Sequence, residues 1–350
     1  MTHAIGIDLG STTSVVAAAA GAREAAVVPV GKKERTTPSY VSFDGRKTLL
    51  GAAAQRQTGA NPGGTFRLPP GLAPSAAIPG GPSPYELARL VADGIRNGLG
   101  KPFRSGTLET VVAVPGTADE TQLALYRDAV AHAGFAVRGT VSAAQAAATA
   151  HGLDQASQAR ALVVILGGTT LEVTALQISD GRTTILGTPI SRPLGGDHWT
   201  YAIAEEVAAS VHAAHGFDAR RDPLAWQRVF EAAEAAKIRL TTRDSASVDI
   251  PYLAKNGRNP VHADATITRA RFTAMTAHLV DEAVAALAPT LDRADLAPTD
   301  LDALILTGGG TLTPAIATAI PTHLAIPPTP GPHPQESTAL GAALHAWHLR

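Results

Sequence analysis

The pattern of apolar and polar positions near the amino terminus predicts two strands joined by a short turn. Residues Ala4–Leu9 and Ser14–Ala20 are mostly apolar, and Gly10–Thr13 between them is small and rich in hydroxyl groups. Apolar runs on both sides of a Gly/Ser/Thr turn are typical of a β-hairpin. Apolar residues at helical spacing then predict a helix over about 85–99.

The remaining pattern alternates between strands and helices, which predicts an α/β architecture. Residues 60–84 are rich in Pro and Gly, so we expect a loop with no regular element there. The other predicted elements are a strand at Thr110–Val114, a helix at about 119–133, a strand near Val137, a small-residue helix suited to close packing at Ala143–His151, a strand at Ala161–Leu166, a helix from about Asp197, a helix at about 224–240, two helices around 269–294, a strand at Ala303–Thr307, a helix after Thr313 and a helix at about 336–347.

One segment of the chain repeats. The stretch Ile7–Val16 matches Val164–Val173 in pattern, because each is an apolar strand, a Leu-Gly-small-Thr-Thr turn and a second apolar strand. The repeat predicts a duplicated α/β lobe with one hairpin per copy and a ligand held between the copies. The alternative is that both segments are ordinary hairpin turns without a ligand. The occurrence of the same turn between the same kinds of strand in both segments argues against this alternative.

Composition excludes several classes of function. The chain has 350 residues, 45% hydrophobic and 17% charged, with a net charge of -1 and no cysteine. Disulfides and thiolate metal sites are therefore excluded, and no overall attraction to nucleic acid is expected. We find no signal peptide and no apolar run of the roughly 18 residues that a membrane span needs. We therefore expect a cytoplasmic protein without nucleic-acid or membrane partners.

Four glycine-rich turns are candidate phosphate or base sites, because glycine lets backbone N–H groups approach a ligand closely. The two hairpins also supply hydroxyl groups. Asp197 could instead be a simple helix N-cap, and the triple glycine a tight strand-to-helix turn. The candidate binding residues are Gly10, Ser11, Thr12, Gly167, Gly168, Thr169, Gly195, Gly196, Asp197, Gly308, Gly309 and Gly310.

The motifs occur in the order found in the 70 kDa heat-shock chaperones (DnaK type), and the sequence resembles the nucleotide-binding domain of that family from Ala4 to about Trp347. It is closer to these chaperones than to actin or the sugar kinases, which share the fold. The resembling motifs are Ile5–Thr13, Val111–Pro115 with the helix after it, Leu194–Asp197, Glu234–Lys237, Thr268–Phe272, Thr307–Gly310 and Ala339–Ala343.

The resemblance implies an actin-like ATPase fold, with two ribonuclease-H-like lobes around an interlobe nucleotide cleft and ATP or ADP with Mg²⁺ as ligands. The lobes are expected at 1–158 and 159–350. A shortened upper subdomain is expected at about 52–84, and an adenosine-binding subdomain at about 224–300. The sequence ends where the family's nucleotide-binding domain ends, so we expect conventional client capture by a peptide-binding domain to be missing.

The catalytic positions of the family are only partly kept. Asp8, Thr170 and Glu172 stand at family positions, and the resemblance implies that Asp8 holds Mg²⁺ through water. The family's second hairpin Asp falls on Ile165, and its Glu before the small-residue helix falls on Ala143. The family lysine is also missing, because the chain has no lysine from Thr48 to Gly100, and the only nearby cation is Arg67. Losing charged groups at a phosphate centre costs orders of magnitude in rate, so efficient hydrolysis is not expected.

The adenosine end is mixed. Glu234 and Lys237 match family residues that hold ribose and base, although an exposed helical ion pair is the alternative. The two family arginines that sandwich adenine fall on Ile238 and Leu312, and Gln335 replaces a family Asp near the base. An apolar slot between Ile238 and Leu312 is still compatible with a purine.

Three functions remain open from the sequence. The first is a chaperone-like ATP/ADP-binding protein with weak or absent hydrolysis. The second is a pseudo-ATPase that serves as a scaffold or binds a protein partner. The third and least supported is a small-molecule kinase, since we find no catalytic Asp placed to activate an acceptor hydroxyl.

Overall fold

The computed structural model describes residues 2–31, 34–45, 47–72 and 80–350. Residues 73–79 of the predicted 60–84 loop therefore lie outside the described residues. The first part of the chain forms strands β1 Thr2–Leu9, β2 Thr13–Gly21, β3 Glu24–Val27, β4 Thr37–Pro38, β5 Tyr40–Phe43, β6 Thr48–Leu50, β7 Thr65–Arg67, β8 Thr107–Val114 and β9 Ala136–Ser142, and helices α1 Ala52–Gln55, α2 Pro84–Gly98, α3 Glu120–His132 and α4 Ala143–Ala150.

The second part contains the other six strands and seven helices of the described residues. Its elements are strands β10 Gln158–Leu166, β11 Leu171–Ser179, β12 Arg182–Arg192, β13 Ser245–Asn256, β14 Asn259–Thr268 and β15 Ala303–Thr307, and helices α5 Gly196–His215, α6 Pro223–Leu240, α7 Arg269–Met275, α8 Ala277–Val284, α9 Leu287–Arg293, α10 Pro314–Leu324 and α11 Ser337–His348.

Two mixed sheets confirm the duplication expected from the repeat. The first has strand order β3-β2-β1-β8-β9, and the second has the matching order β12-β11-β10-β15. In each, a hairpin of antiparallel strands (β1–β2 or β10–β11) pairs in parallel with a later strand, β8 or β15. The two hairpins are therefore equivalent elements, and the mixed α/β class is confirmed.

Helix α11 follows the second sheet in sequence but packs against the first. Its residues contact β1, β2 and β8, and it also lies along α4. A Cβ atom at Gly341 would stand 1.7 Å from the Ala146 carbonyl oxygen, and one at Gly6 would stand 2.2 Å from the Ala339 carbonyl oxygen. Backbones this close leave no room for side chains. The close packing predicted for the small-residue helix α4 is thus confirmed.

Two sequence predictions were wrong in detail. Residues 269–294 form three short helices rather than two, with breaks at Thr276 and after Val284. The 60–84 segment contains the short strand β7, which pairs with β5 in a three-stranded sheet. Glycine and proline flank this strand, and only pairing with a distant partner makes it a strand. The long β13–β14 hairpin was not predicted at all.

Candidate functional site

The tips of the two hairpins contact each other. The Ser11 and Thr169 hydroxyl groups hydrogen-bond at 2.6 Å. A Cβ atom at Gly168 would lie 1.8 Å from the Thr12 hydroxyl oxygen, so glycine is required there. The Thr12 hydroxyl is buried and has no hydrogen-bond partner among the described residues. It is a polar group still in need of a partner at the bottom of the cleft between the lobes.

Two glycine turns stack on the second hairpin. A Cβ atom at Gly195 would lie 2.4 Å from the Thr169 nitrogen, and one at Gly308 would lie 2.4 Å from the Leu166 carbonyl oxygen. The Gly196 and Asp197 N–H groups donate to the Gly167 and Gly168 carbonyls at 2.9 and 2.8 Å. These first N–H groups of α5 hold the helix against the hairpin.

A cavity of about 480 Å³ opens between the hairpins and the glycine turns. It brings together most of the expected site residues, but Thr169 and Gly195 do not line it and instead contact the neighbouring turns. The expected residues that line the cavity are Asp8, Gly10, Ser11, Thr12, Gly167, Gly168, Thr170, Glu172, Gly196, Asp197, Glu234, Lys237, Gly308, Gly309, Gly310 and Leu312.

Each hairpin contributes one acid to this cavity. In the first hairpin the acid lies on the incoming strand, and in the second it lies on the outgoing strand. Asp8 on β1 lies directly across from Val15, whereas Ile165, its equivalent on β10, lies across from Glu172. Directly opposite residues point to the same side of a sheet. All four side chains therefore face the cavity, and the acid of the second hairpin stands on the outgoing strand.

Burial brings the pKa values of both acids close to physiological pH. It raises the pKa of Asp8 to about 7. It also raises the pKa of Glu172 to about 7, even though the Gly116 N–H and the Thr174 hydroxyl donate to that carboxylate and oppose the shift. Burial, and then the charges of the two acids, raise the pKa of Tyr126, which lines the same cavity.

Arg67 stands across the cleft from the second lobe and is engaged there. Its guanidinium forms an ion pair with Asp197 at 2.5 Å and a hydrogen bond with Tyr40. The side chains of Arg67 and Asp197 are only 31% and 14% exposed. The pair joins β7 of the first lobe to the start of α5 in the second. A cation held in this way is not free to move onto a phosphate group.

The sequence matches the Hsp70 protein family over residues 4–68 and 91–350. The chain belongs to the Hsp70 family. The actin-like ATPase fold expected from the motif order is thereby established, and the two matching sheets agree with it. Hsp70 proteins are chaperone-type proteins that bind ATP and ADP with Mg²⁺. Over the described residues, no helix has both the length and the apolar character required to cross a membrane.

At the far end of this Hsp70 cleft, Glu234 and Lys237 form a closed polar cluster. Their side chains pair at 2.6 Å, and the Lys237 ammonium also donates to the Gly196 carbonyl at 3.0 Å and to the Thr200 hydroxyl at 2.9 Å. Thr200 in turn donates to Glu234. Lys237 is 14% exposed. The pair is therefore more than a solvated helical pair, because it ties α6 to the first turn of α5.

The same end of the cleft has apolar walls. Ile238 is 57% exposed yet lines the cavity, and Leu312 faces it from the triple-glycine turn. Gln335 also lines the cavity, and its amide nitrogen lies 2.9 Å from the position of a Cβ atom at Gly309. Ile238 and Leu312 thus line the same cavity, and the apolar slot for a purine between them stays a prediction.

The residues present fit a nucleotide with a magnesium ion. The unpartnered Thr12 hydroxyl and the glycine turns suit phosphate oxygens. Mg²⁺ usually takes one or two carboxylates and completes its shell with phosphate and water. Asp8 and Glu172 would supply these carboxylates, and bound Mg²⁺ would neutralise phosphate charge. Within the described ranges no group of three or more His, Cys, Asp or Glu forms a metal cage.

Three residues of the site were not found from the sequence. Tyr126 comes from the middle of α3, Gly116 holds Glu172 through its backbone, and Tyr40 supports Arg67 from β5. Nothing in their local pattern marks them, because each acts through a neighbour that is distant in sequence.

Proposed function

We propose that this Hsp70-family chain binds ATP and ADP in the interlobe cleft and hydrolyses ATP slowly or not at all. Support for binding comes from the cavity of about 480 Å³, its glycine turns and the free Thr12 hydroxyl. Pockets of a few hundred Å³ with few convergent polar groups are typical of small-molecule sites.

Support for slow turnover comes mainly from Ile165. Phosphoryl transfer is catalysed by positioning and by stabilisation of charge on the transferred group. The aliphatic Ile165 side chain can neither bind Mg²⁺ nor orient water at a position equivalent to Asp8. The nearest candidate for the missing lysine, Arg67, is held by Asp197. Two of the expected sources of stabilisation are therefore absent from the phosphate end.

Calorimetry and turnover measurements test the two halves of this proposal separately. Titration of the purified chain with Mg-ADP and Mg-ATP should release heat, and Asp8→Ala should weaken binding of the magnesium complexes. Steady-state ATP hydrolysis should be at or near background. Titrations without heat at high micromolar ligand contradict binding, and turnover typical of an active Hsp70 ATPase domain contradicts slow hydrolysis.

Ile165→Asp is the matched gain-of-function variant. It restores an acid to the second hairpin beside Glu172 and should raise the turnover rate by about tenfold or more. Ile165→Asn has a similar size and no charge, so it should leave turnover near the starting level. Equal turnover in both variants would mean that Ile165 is not what limits hydrolysis.

A nucleotide-binding scaffold is the second candidate. The same replacements at Ile165 and Arg67 favour it, because they weaken catalysis and leave the lobes joined across the cleft. The two candidates differ in whether nucleotide changes partner binding. If the chain binds a protein partner equally well with and without ADP, this supports a scaffold whose partner binding does not depend on nucleotide.

A further inference from the structure

The cleft has two chemically different ends. Hydroxyl groups, glycine backbone and the acids Asp8 and Glu172 surround one end. Ile238 of α6, the triple-glycine turn and the adjoining Gln335 line the other end. Glu234 and Lys237 lie at this end too, but their charges are paired with each other. A nucleotide with its phosphates at the hairpins would place its base at this end, where the described side chains leave no charge unpaired.

Gln335 is a polar side chain left free at that end. Its amide makes no hydrogen bond to any residue that the structure describes. The hydroxyl of Thr241, which lines the same cavity, is by contrast engaged, because it donates to the Ile238 carbonyl. Gly309 provides the space for it, because a side chain at Gly309 would meet the Gln335 amide at 2.9 Å. Ile238 and Leu312 line the same cavity, and aliphatic side chains would contact the face of either purine ring equally well.

A free amide does not distinguish strongly between the two purines. Glutamine carries a carbonyl acceptor and an NH₂ donor side by side. The Watson–Crick edge of adenine offers a donor and an acceptor, and that of guanine offers an acceptor and a donor. Rotation of the terminal amide by half a turn exchanges its two groups, so either edge can be matched. Strong discrimination arises where the wrong ligand leaves a buried polar group unpaired, and the Gln335 amide is only half-buried and can pair with either edge.

We propose that the cleft binds guanine nucleotides as well as adenine nucleotides, and that Gln335 is the base-contacting residue that sets the balance between them. This inference rests on the proposed nucleotide-binding function and adds the class of base to it. The triple-glycine turn has a specific part in it, because Gly309 keeps the amide free to rotate.

Titration of the whole chain with Mg-ADP and Mg-GDP tests the proposal. The two dissociation constants should agree within about tenfold, which is near the low end of the discrimination that one good bidentate base contact provides. Detectable ADP binding with GDP more than about tenfold weaker overturns the base inference and leaves the proposed function standing. Absence of binding for both nucleotides overturns the proposed function, and the inference with it.

Gln335→Glu is the sharper test, because it keeps the size and changes the amide to an acceptor-only carboxylate. Guanine presents two donors, N1–H and the N2 amino group, whereas an adenine ring nitrogen is repelled. The ratio of ADP to GDP dissociation constants should move toward GDP by about tenfold. Gln158→Glu, on the exposed start of β10, is the control and should leave the ratio unchanged. Circular dichroism checks that the Gln335→Glu protein is folded. An unchanged ratio in the folded variant overturns the role of Gln335. If the variant does not fold, the ratio of ADP to GDP dissociation constants of the natural sequence still decides whether both bases are bound.

Discussion

Asp8 and Ile165 occupy equivalent positions in two equivalent hairpins, yet only one of them can carry charge. The second hairpin keeps its acid on the other strand, at Glu172. Both remaining acids are buried, and burial favours their protonated forms. At the scale of single residues the phosphate end is therefore a pair of acids with pKa values close to neutrality and no free cation within the described part of the cleft.

Stability should fall as the pH rises from about 4 to 7 because of these two acids. Their ordinary pKa values are 3.8 and 4.5, and in the folded protein both rise to about 7. Between these values the folded state holds protons that the unfolded state has released, so raising the pH favours unfolding. Each acid contributes a slope of up to about 1.4 kcal/mol per pH unit, and the effect levels off above pH 7.

Urea unfolding from pH 4.5 to 8 measures this slope. The double variant Asp8→Asn with Glu172→Gln should flatten the curve relative to the natural sequence. Asp93→Asn, which removes an ion pair within α2, should leave the slope as it is. Identical slopes in the natural chain and the double variant would show that the two acids do not titrate near neutrality.

At the scale of elements, glycine decides how closely turns and helices approach. The glycine turns stack against the second hairpin, and α11 lies against both β1 and α4 at distances that exclude a Cβ atom. These contacts join backbone to backbone, so a neighbouring side chain cannot simply turn away. The elements that carry the site can lie this close together only because glycine, which has no side chain, stands at each contact.

Gly341→Ala should destabilise the protein by about 1–3 kcal/mol, because its methyl group would overlap the Ala146 carbonyl oxygen. Gly139→Ala is the matched control, since nothing lies within 4 Å of the added carbon atom. Urea unfolding of both variants measures the difference. Equal stabilities would mean that α11 and α4 can separate at little cost.

At the scale of the whole molecule, the lobes are joined across the mouth of the cleft. Arg67 pairs with Asp197, and Gly59 lies against Leu224 and Gln227 of α6, where an added Cβ atom would be 3.0 Å from each side chain. These contacts link the three-stranded sheet of the first lobe to α5 and α6. Opening of the cleft must therefore break an ion pair that is largely shielded from solvent.

Arg67→Ala should speed nucleotide release from this cleft by about threefold to tenfold, in line with the modest worth of a single ion pair that water still reaches in part. Stopped-flow dissociation of a fluorescent ADP measures the rate. Arg67→Asp combined with Asp197→Arg should restore slow release because the pair is reversed. Arg89→Ala, which removes an ion pair within α2, is the control. If Arg89→Ala changes the release rate as much as Arg67→Ala does, the ion pair between the lobes has no special role in nucleotide release.

The sequence by itself determined the repeat, the α/β class, the order of motifs and the residue types of the cleft. These follow from local patterns, because strand periodicity and glycine turns are encoded in neighbouring positions. The strand β7, the three-helix break at 269–294 and the pairing of Arg67 with Asp197 were decided only by the tertiary structure. The strand and the ion pair each depend on a partner distant along the chain, because β7 pairs with β5 and Arg67 pairs with Asp197, 130 residues away. Long-range burial likewise set the pKa values of Asp8 and Glu172, since the same carboxylates in water would be charged at neutral pH.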